Sequence, residues 1–137
     1  MKKGEIRMDY FANELRVGEL APILLGNSSY SKSISKRIFS RHGMISHIFC
    51  NRVSFLKRFC LTAKYHPVGG FEEDELLLLA LKDFAKGVQT RDIVLYLIPG
   101  TEKAKQFIRR NRERLEPDFV IADESSLVKL IGIDSLI

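Results

Sequence analysis

The chain has 137 residues, a length that fits one domain with a hydrophobic core of its own. Hydrophobic residues make up 45% and charged residues 28%, a balance that is typical of globular proteins and argues against wholesale disorder. The net charge is +5, and no apolar run approaches the ~20 residues that a membrane-spanning helix needs. Two cysteines without a CxxC motif and three scattered histidines argue against a metal centre and a disulfide scaffold. We therefore expect a soluble, cytoplasmic protein.

The first third of the chain is typical of strand, loop, helix and strand. Residues 1–20 are expected to form a leader, partly helical or disordered, and Gly18 and Pro22 are expected to break its short helix. Residues 23–26 are a short apolar run ending in Gly, the pattern of a buried parallel strand. A polar loop leads into a predicted helix over 32–42, for which Gly43 is a natural C-cap. Residues 44–50 then alternate in the manner of a second strand.

The middle of the chain predicts three further elements before the strongest strand. Residues 52–59 are expected to form a short helix with a basic face, and 62–66 a short strand. Residues 74–86 predict a helix that is acidic at its start and basic near its end, as the helix dipole favours. Residues 92–98 are apolar and rich in β-branched side chains, which indicates a buried strand.

The last third predicts a helix over 102–115, a fifth strand over 119–122 and a short helix over 125–131. Strands that alternate with helices indicate an α/β fold, in which a mainly parallel sheet lies between two helical layers. We predict a small three-layer, Rossmann-like domain of about five strands over residues 21–137.

Two loops are candidates for a binding site, because ligands of such folds bind beyond the carboxyl ends of the strands. One loop follows the first predicted strand, and the other follows the fourth. The candidate substrate- or anion-binding residues are Gly26, Asn27, Ser28, Ser29, Lys32, Pro99, Gly100, Thr101 and Glu102. The sequence indicates no catalytic residue and no metal ligand.

The first of these loops also resembles a phosphate-binding motif. Residues 26–33 have the pattern G-x-x-x-x-S-K-S, which differs from a P-loop only in the Ser31 that replaces the second Gly. In a working P-loop, Lys32 would hold phosphates and Ser33 would hold Mg²⁺. Asp123 would interact with that Mg²⁺ through one of the groups bound to it. Ser31 disfavours the backbone conformation that wraps a phosphate. The alternatives are a wider anion site at a helix N-terminus and a loop that only caps the helix.

The positive charge is concentrated in one region. No acidic residue occurs between Leu20 and Phe71. The basic residues of that region are Lys32, Lys36, Arg37, Arg41, Arg52, Lys57, Arg58 and Lys64. Such a region could bind phosphate, carboxylate or nucleic acid, or it could be a solvated face or meet an acidic neighbouring domain. Most of the aromatic residues there fall at positions that look like core; the aromatic residues are Tyr30, Phe39, Phe49, Phe55, Phe59 and Tyr65.

The order of several segments resembles one enzyme family. The segments are residues 22–26, 41–43, 58–60, 64–68, 98–101, 111–115 and 118–121. In this order they resemble the N-terminal, pre-ATP-grasp domain of ATP-grasp carboxylate–amine ligases of the D-aspartate ligase-like and carbamoyl-phosphate-synthase-like kind. The resemblance covers about residues 20–131.

This resemblance implies a substrate-side domain that forms one wall of the active-site cleft. The loops 26–29 and 99–102 would line that cleft and hold the acceptor or carboxylate substrate. Relatives tend to carry acidic residues in both loops, whereas this chain has Asn27 and Ser28 in one and Gly100 and Thr101 in the other. Whether this chain has the substrate preference of that family is therefore an open question.

The resemblance also implies what this chain lacks. The family's glycine-rich lid, phosphate-gripping lysine and Mg²⁺-binding Glu/Asn pair have no counterpart in the 137 residues. We therefore expect no cofactor in this chain, with ATP and Mg²⁺ implied only for the missing domain, and no activity of the chain alone. Expected partners are an ATP-grasp domain, in cis or in trans, or a homo-oligomer, together with a small carboxylate or amine, but neither nucleic acid nor a membrane. The alternatives are a free-standing nucleotide- or anion-binding protein that uses residues 26–33, and a basic interaction module.

Overall fold

A five-stranded sheet forms the centre of the protein. The computed structural model describes residues 20–88 and 93–132, except the side chain of Arg58. The strands are β1 (Leu20–Leu25), β2 (Ser46–Cys50), β3 (Ala63–Pro67), β4 (Val94–Pro99) and β5 (Val120–Ile121). They lie in the order β3-β2-β1-β4-β5, and all four pairings are parallel.

Within the described ranges, four α-helices cover the two faces of this sheet. They are α1 (Ser29–His42), α2 (Asp74–Val88), α3 (Glu102–Leu115) and α4 (Glu124–Ile131), and a short 3₁₀ helix (Phe55–Phe59) lies between β2 and β3. One core joins the sheet to α1 and α4, and the other joins it to α2 and α3. The predicted α/β class and three-layer, Rossmann-like architecture are confirmed. No helix within the described ranges is long and apolar enough to cross a membrane.

The apolar runs of the central strands supply both cores at once. In β1, Ile23 and Leu25 pack against α2 and α3, while Leu24 packs against α1 and α4. All three side chains are fully buried. Successive side chains of a strand point to opposite faces, so a strand that is covered on both sides needs an uninterrupted apolar run.

The predicted start of β1 was wrong by three residues. Residues Leu20, Ala21 and Pro22 pair with β4, so Leu20 belongs to the sheet and not to the leader. The register with β2 begins only at Ile23. The Gly26 N–H donates to Phe49 on β2, and the period of two places the nitrogen of Pro22 on that same side. Proline is tolerated there because no strand bond to β2 is lost.

Other boundaries differ in ways that concern the site. Helix α1 begins at Ser29, three residues before its predicted start. The short helix predicted over 52–59 is a 3₁₀ helix that begins at Phe55. The leader predicted over residues 1–20 lies outside the described residues except for Leu20.

Candidate functional site

The two loops singled out in the sequence meet at the carboxyl edge of the sheet. Strands β1 and β4 are neighbours, but β1 leads into α1 on one face and β4 leads into α3 on the other. The N–H of Gly100 donates to the carbonyl oxygen of Leu25 over 2.8 Å. The hydroxyl of Ser28 donates to the carbonyl oxygen of Gly100 over 2.6 Å. This is the switch point of the sheet, where open α/β folds bind their ligands.

Two glycines make this close approach of the loops feasible. Gly26 has a φ of 101°, and a Cβ at this position would lie 2.7 Å from Cγ2 of Thr101. A Cβ at Gly100 would lie 2.6 Å from the carbonyl oxygen of Leu25 and would overlap the hydroxyl of Ser31. A side chain at either position would push the two loops apart.

Beside this junction lies a cleft of about 590 Å³ on the face of the sheet that α2 and α3 cover. It lies between the ends of β1 and β2 and the first turns of these two helices. Its uncharged polar lining includes Asn27, Asn51, Thr101 and Gln106, and its apolar lining includes Phe71, Leu77 and Phe107. A cleft with an apolar lining and a few polar groups is the usual form of a small-molecule site.

Both signs of charge line the cleft. The guanidinium of Arg110 donates two hydrogen bonds to Asp74, over 3.0 and 2.9 Å, and Asn111 donates a third over 2.9 Å. Arg110 first, and then Asn111, hold the pKa of Asp74 below its usual value. Lys103 lies 3.4 Å from Glu72.

Arg52 differs from Arg110 and Lys103, each of which is paired with a carboxylate. It lines the cleft and is exposed, yet within the described part of the chain no carboxylate lies within salt-bridge distance of it. Its guanidinium is therefore available to an anionic group of a ligand. A guanidinium can hold a carboxylate through two parallel hydrogen bonds.

The nine predicted site residues are brought to the same edge of the sheet, but only some reach the cleft. Those that line it are Gly26, Asn27 and Thr101. Ser28 and Thr101 cap α1 and α3. Gly100 is buried where the β1–α1 and β4–α3 loops meet. Ser29 is the first residue of α1.

Three of the nine predicted residues contribute to surfaces other than the cleft. Pro99 lines a separate depression next to β5. Glu102 pairs with Lys105 on the surface of α3, over 3.7 Å. Lys32 lies on α1 near Lys57 and does not line the cleft. For Glu102 and Lys32 this follows from helix geometry, because side chains three or four residues apart share a face and the others turn away.

The P-loop alternative is not favoured by this geometry. Because α1 begins at Ser29, only three residues separate it from β1. The hydroxyl of Ser31 is fully buried and donates to the Gly26 carbonyl oxygen over 2.6 Å, so it is committed within the loop. Asp123 caps α4 beyond β5, and β4 lies between that strand and β1. The residues described thus do not fit Mg-ATP in the P-loop manner.

Part of the cleft lining was missed in the sequence. Cys50 ends β2, and Asn51 and Arg52 follow it; Glu72 precedes α2, and Asp74 begins it. The signal for the first group was available, because Asn51 and Arg52 directly follow a predicted strand. Its relevance depends on β2 lying next to β1, which only the sheet order reveals.

A histidine pair lies apart from the cleft lining. Nδ1 of His47 lies 2.9 Å from Nε2 of His66, and Phe49 stacks on His66. Burial, and then the neighbouring His66, lower the pKa of His47 from 6.5 to about 4. No group of three or more His, Cys, Asp or Glu side chains in the described ranges is arranged to hold a metal ion. The pair is therefore best understood as packing between β2, β3 and α2.

Comparisons of the chain with known protein families, with curated proteins and with solved structures found no match. Function is therefore inferred from the fold and from the geometry of the cleft.

Proposed function

We propose that the chain is the substrate-side domain of an ATP-grasp-type carboxylate–amine ligase and that it holds a small carboxylate or amine in the cleft. The observation that carries the proposal is the position of this cleft at the switch point, beside the junction of the β1–α1 and β4–α3 loops. Asn27 and Thr101, from the two loops that the family resemblance implicates, both line it.

The lining suits a small carboxylate. Within the described part of the chain no carboxylate lies within salt-bridge distance of Arg52, so its guanidinium can hold such a group. Glu72 and Asp74 also line the cleft, but each is already paired with a basic side chain of α3. Amide and hydroxyl groups of Asn27, Asn51 and Thr101 can fix the orientation through hydrogen bonds. A small carboxylate with further hydrogen-bonding groups, such as an amino acid, meets these requirements.

The chemistry of ATP is assigned to a partner. An ATP-grasp domain, in cis in a longer protein or in trans, would bind Mg-ATP and supply activation of the carboxylate as an acyl phosphate. The role of the described residues is to bind and orient the second substrate, since none of them is assigned to bond making. By itself the chain should bind substrate without turning it over.

The test is a titration of the isotope-labelled chain, followed by amide resonances, with aspartate, glutamate, lysine, succinate and a diamine as probes. We expect at least one amino acid to shift the resonances of Asn27, Asn51 and Thr101. Arg52→Ala should weaken that binding at least about tenfold, because a charge-assisted hydrogen bond is lost. Arg109→Ala, which removes a guanidinium on the β5 side of α3, is the matched control and should leave binding unchanged.

Two results would contradict the proposal. One is that no probe moves the cleft resonances. The other is that Arg52→Ala and Arg109→Ala bind the probe equally well.

A further inference from the structure

A second surface, separate from the cleft, exposes large apolar side chains. The exposed fractions are 68% for Phe55, 81% for Leu56, 68% for Phe59 and 82% for Leu61, and Ile45 is 49% exposed. We call these five residues the apolar patch. Most aromatic residues of this region were predicted to look like core, whereas Phe55 and Phe59 are exposed. Large apolar side chains gathered in one exposed group mark an interaction site.

Most of the patch is carried by the 3₁₀ helix. Phe55, Leu56 and Phe59 lie on the 3₁₀ helix, and Leu61 follows it directly. With three residues per turn, Leu56 and Phe59 lie in line and Phe55 lies a third of a turn away. The rings of Phe55 and Phe59 contact each other edge to face, with 5.5 Å between their centres. The side chains therefore project in more than one direction.

The charged side chains that the described residues 20–71 place near the patch are positive. Lys57 lies over the ring of Tyr65, 5.5 Å from its centre, and the neighbouring Lys32 is the main cause of the lowered pKa of Lys57. Lys64 is exposed on β3. Because residues 20–71 contain no acidic side chain, none of that region can neutralise these lysines. Two adjacent ammonium groups without a local carboxylate favour an anionic partner.

We propose that the apolar patch and the surrounding lysines dock onto an anionic lipid surface, with the apolar side chains in the acyl boundary and the lysines at the headgroups. This proposal is independent of the ligase assignment. A fluid acyl layer can surround side chains that project in several directions, and amphipathic segments with basic flanks bind membranes in this way. The expectation of no membrane partner rested on the lack of a spanning run, and docking on a surface needs none.

Two other occupants fit less well. A second copy of the chain, joined through the same patch, would bring two basic rims together, and like charges oppose such a contact. Nucleic acid would use Phe55 and Phe59 for stacking, but Leu56 and Leu61, the two most exposed members of the patch, offer no aromatic face.

The test uses the full chain and sedimentation with two kinds of vesicle, phosphatidylcholine alone and an equal mixture with phosphatidylglycerol. We expect binding to the mixed vesicles only, weakening with added salt. Lys32→Gln with Lys57→Gln should reduce partitioning about twentyfold or more, since each lysine near an anionic surface contributes about fivefold. Leu56→Ser with Phe59→Ser should reduce it at least about tenfold through lost apolar insertion.

The matched controls lie on α2. Leu79 is 58% exposed, and Lys86 is exposed near the end of the same helix. Leu79→Ser and Lys86→Gln change the same residue types away from the patch and should leave partitioning unchanged. Far-UV circular dichroism and the melting temperature check that every variant is folded.

Equal binding to both vesicle types, or equal losses in patch and control variants, would overturn the proposal. So would self-association in the ultracentrifuge, or binding to a single-stranded oligonucleotide, that the patch variants abolish while vesicles are not bound.

Discussion

Replacing Gly100 by Ala tests the contact on which the candidate site depends. The new Cβ would lie 2.6 Å from the carbonyl oxygen of Leu25 and 3.1 Å from that of Gly26, and both oxygens belong to the backbone. It would also overlap the Ser31 hydroxyl, which is fully buried and donates to Gly26 over 2.6 Å. The substitution must therefore move a strand end and a helix start apart.

Two effects add to the loss of stability. Overpacking of a close contact costs about 1–3 kcal/mol. Leaving the buried hydrogen bond of Ser31 unmade costs about 1–3 kcal/mol more. We expect Gly100→Ala to lower the free energy of unfolding by about 2–6 kcal/mol. For a domain of this size, that corresponds to a fall of about 7–20 °C in the melting temperature.

The assay is urea unfolding followed by circular dichroism, with a thermal scan beside it. Gly87→Ala is the matched control, because Gly87 lies within α2 and a Cβ there has nothing within 4 Å. It should raise the free energy of unfolding by about 0.5–1 kcal/mol, since Ala is the better helix former. A Gly100→Ala protein that melts within about 2 °C of the unsubstituted chain would refute the packing of the two loops.

Three further predictions concern acid stability, the cleft wall and nucleotide binding. Because the pKa of His47 falls from 6.5 to about 4 on folding, the unfolded chain binds more protons between these values, so stability is constant above about pH 6.5 and falls towards pH 4. After discounting for partial exposure, we expect His47 to account for a loss of about 1–2 kcal/mol between these pH values. His47→Gln should reduce the loss measured by urea unfolding, while His66, whose pKa burial also lowers, keeps its own share; an equal loss in the variant and the unsubstituted chain would contradict this. Asp74→Ala should lower the melting temperature, because bonds from Arg110 and from the buried Asn111 are lost, whereas the exposed Glu75→Ala should not; equal effects of the two would contradict the bridge between α2 and α3. Calorimetry should detect no binding of Mg-ATP, and micromolar binding that Lys32→Ala abolishes would revive the P-loop alternative.

The parts of the site that could be predicted are those that depend only on residues close together in the sequence. An apolar run that ends at Gly26, followed by polar caps, indicates a strand, a turn and a helix start wherever the segment lies in the fold. The helix predicted over 102–115 puts Thr101 directly before its start, and in the structure the Thr101 hydroxyl accepts a hydrogen bond from the N–H of Ala104 as a cap should. Two of the loops at the carboxyl edge were therefore identified correctly.

The rest of the cleft required knowledge of which elements are neighbours. Arg52 reaches it because β2 pairs with β1. Asp74 reaches it because α2 packs beside α3, where Arg110 and Asn111, 36 and 37 residues away in sequence, bind its carboxylate. Such contacts leave no trace in local sequence, since each helix would look the same in another arrangement.

The sequence by itself determined the α/β class, the approximate course of the chain and the concentration of positive charge before Phe71. These properties follow from periodicity, capping residues and composition, which act over a few residues. Only the tertiary structure decided that the loops after β1 and β4 touch, that Ser31 is committed within its loop, and that Phe55 and Phe59 face solvent. Burial and proximity are properties of the whole packed chain, because an apolar side chain is core only if another element covers it.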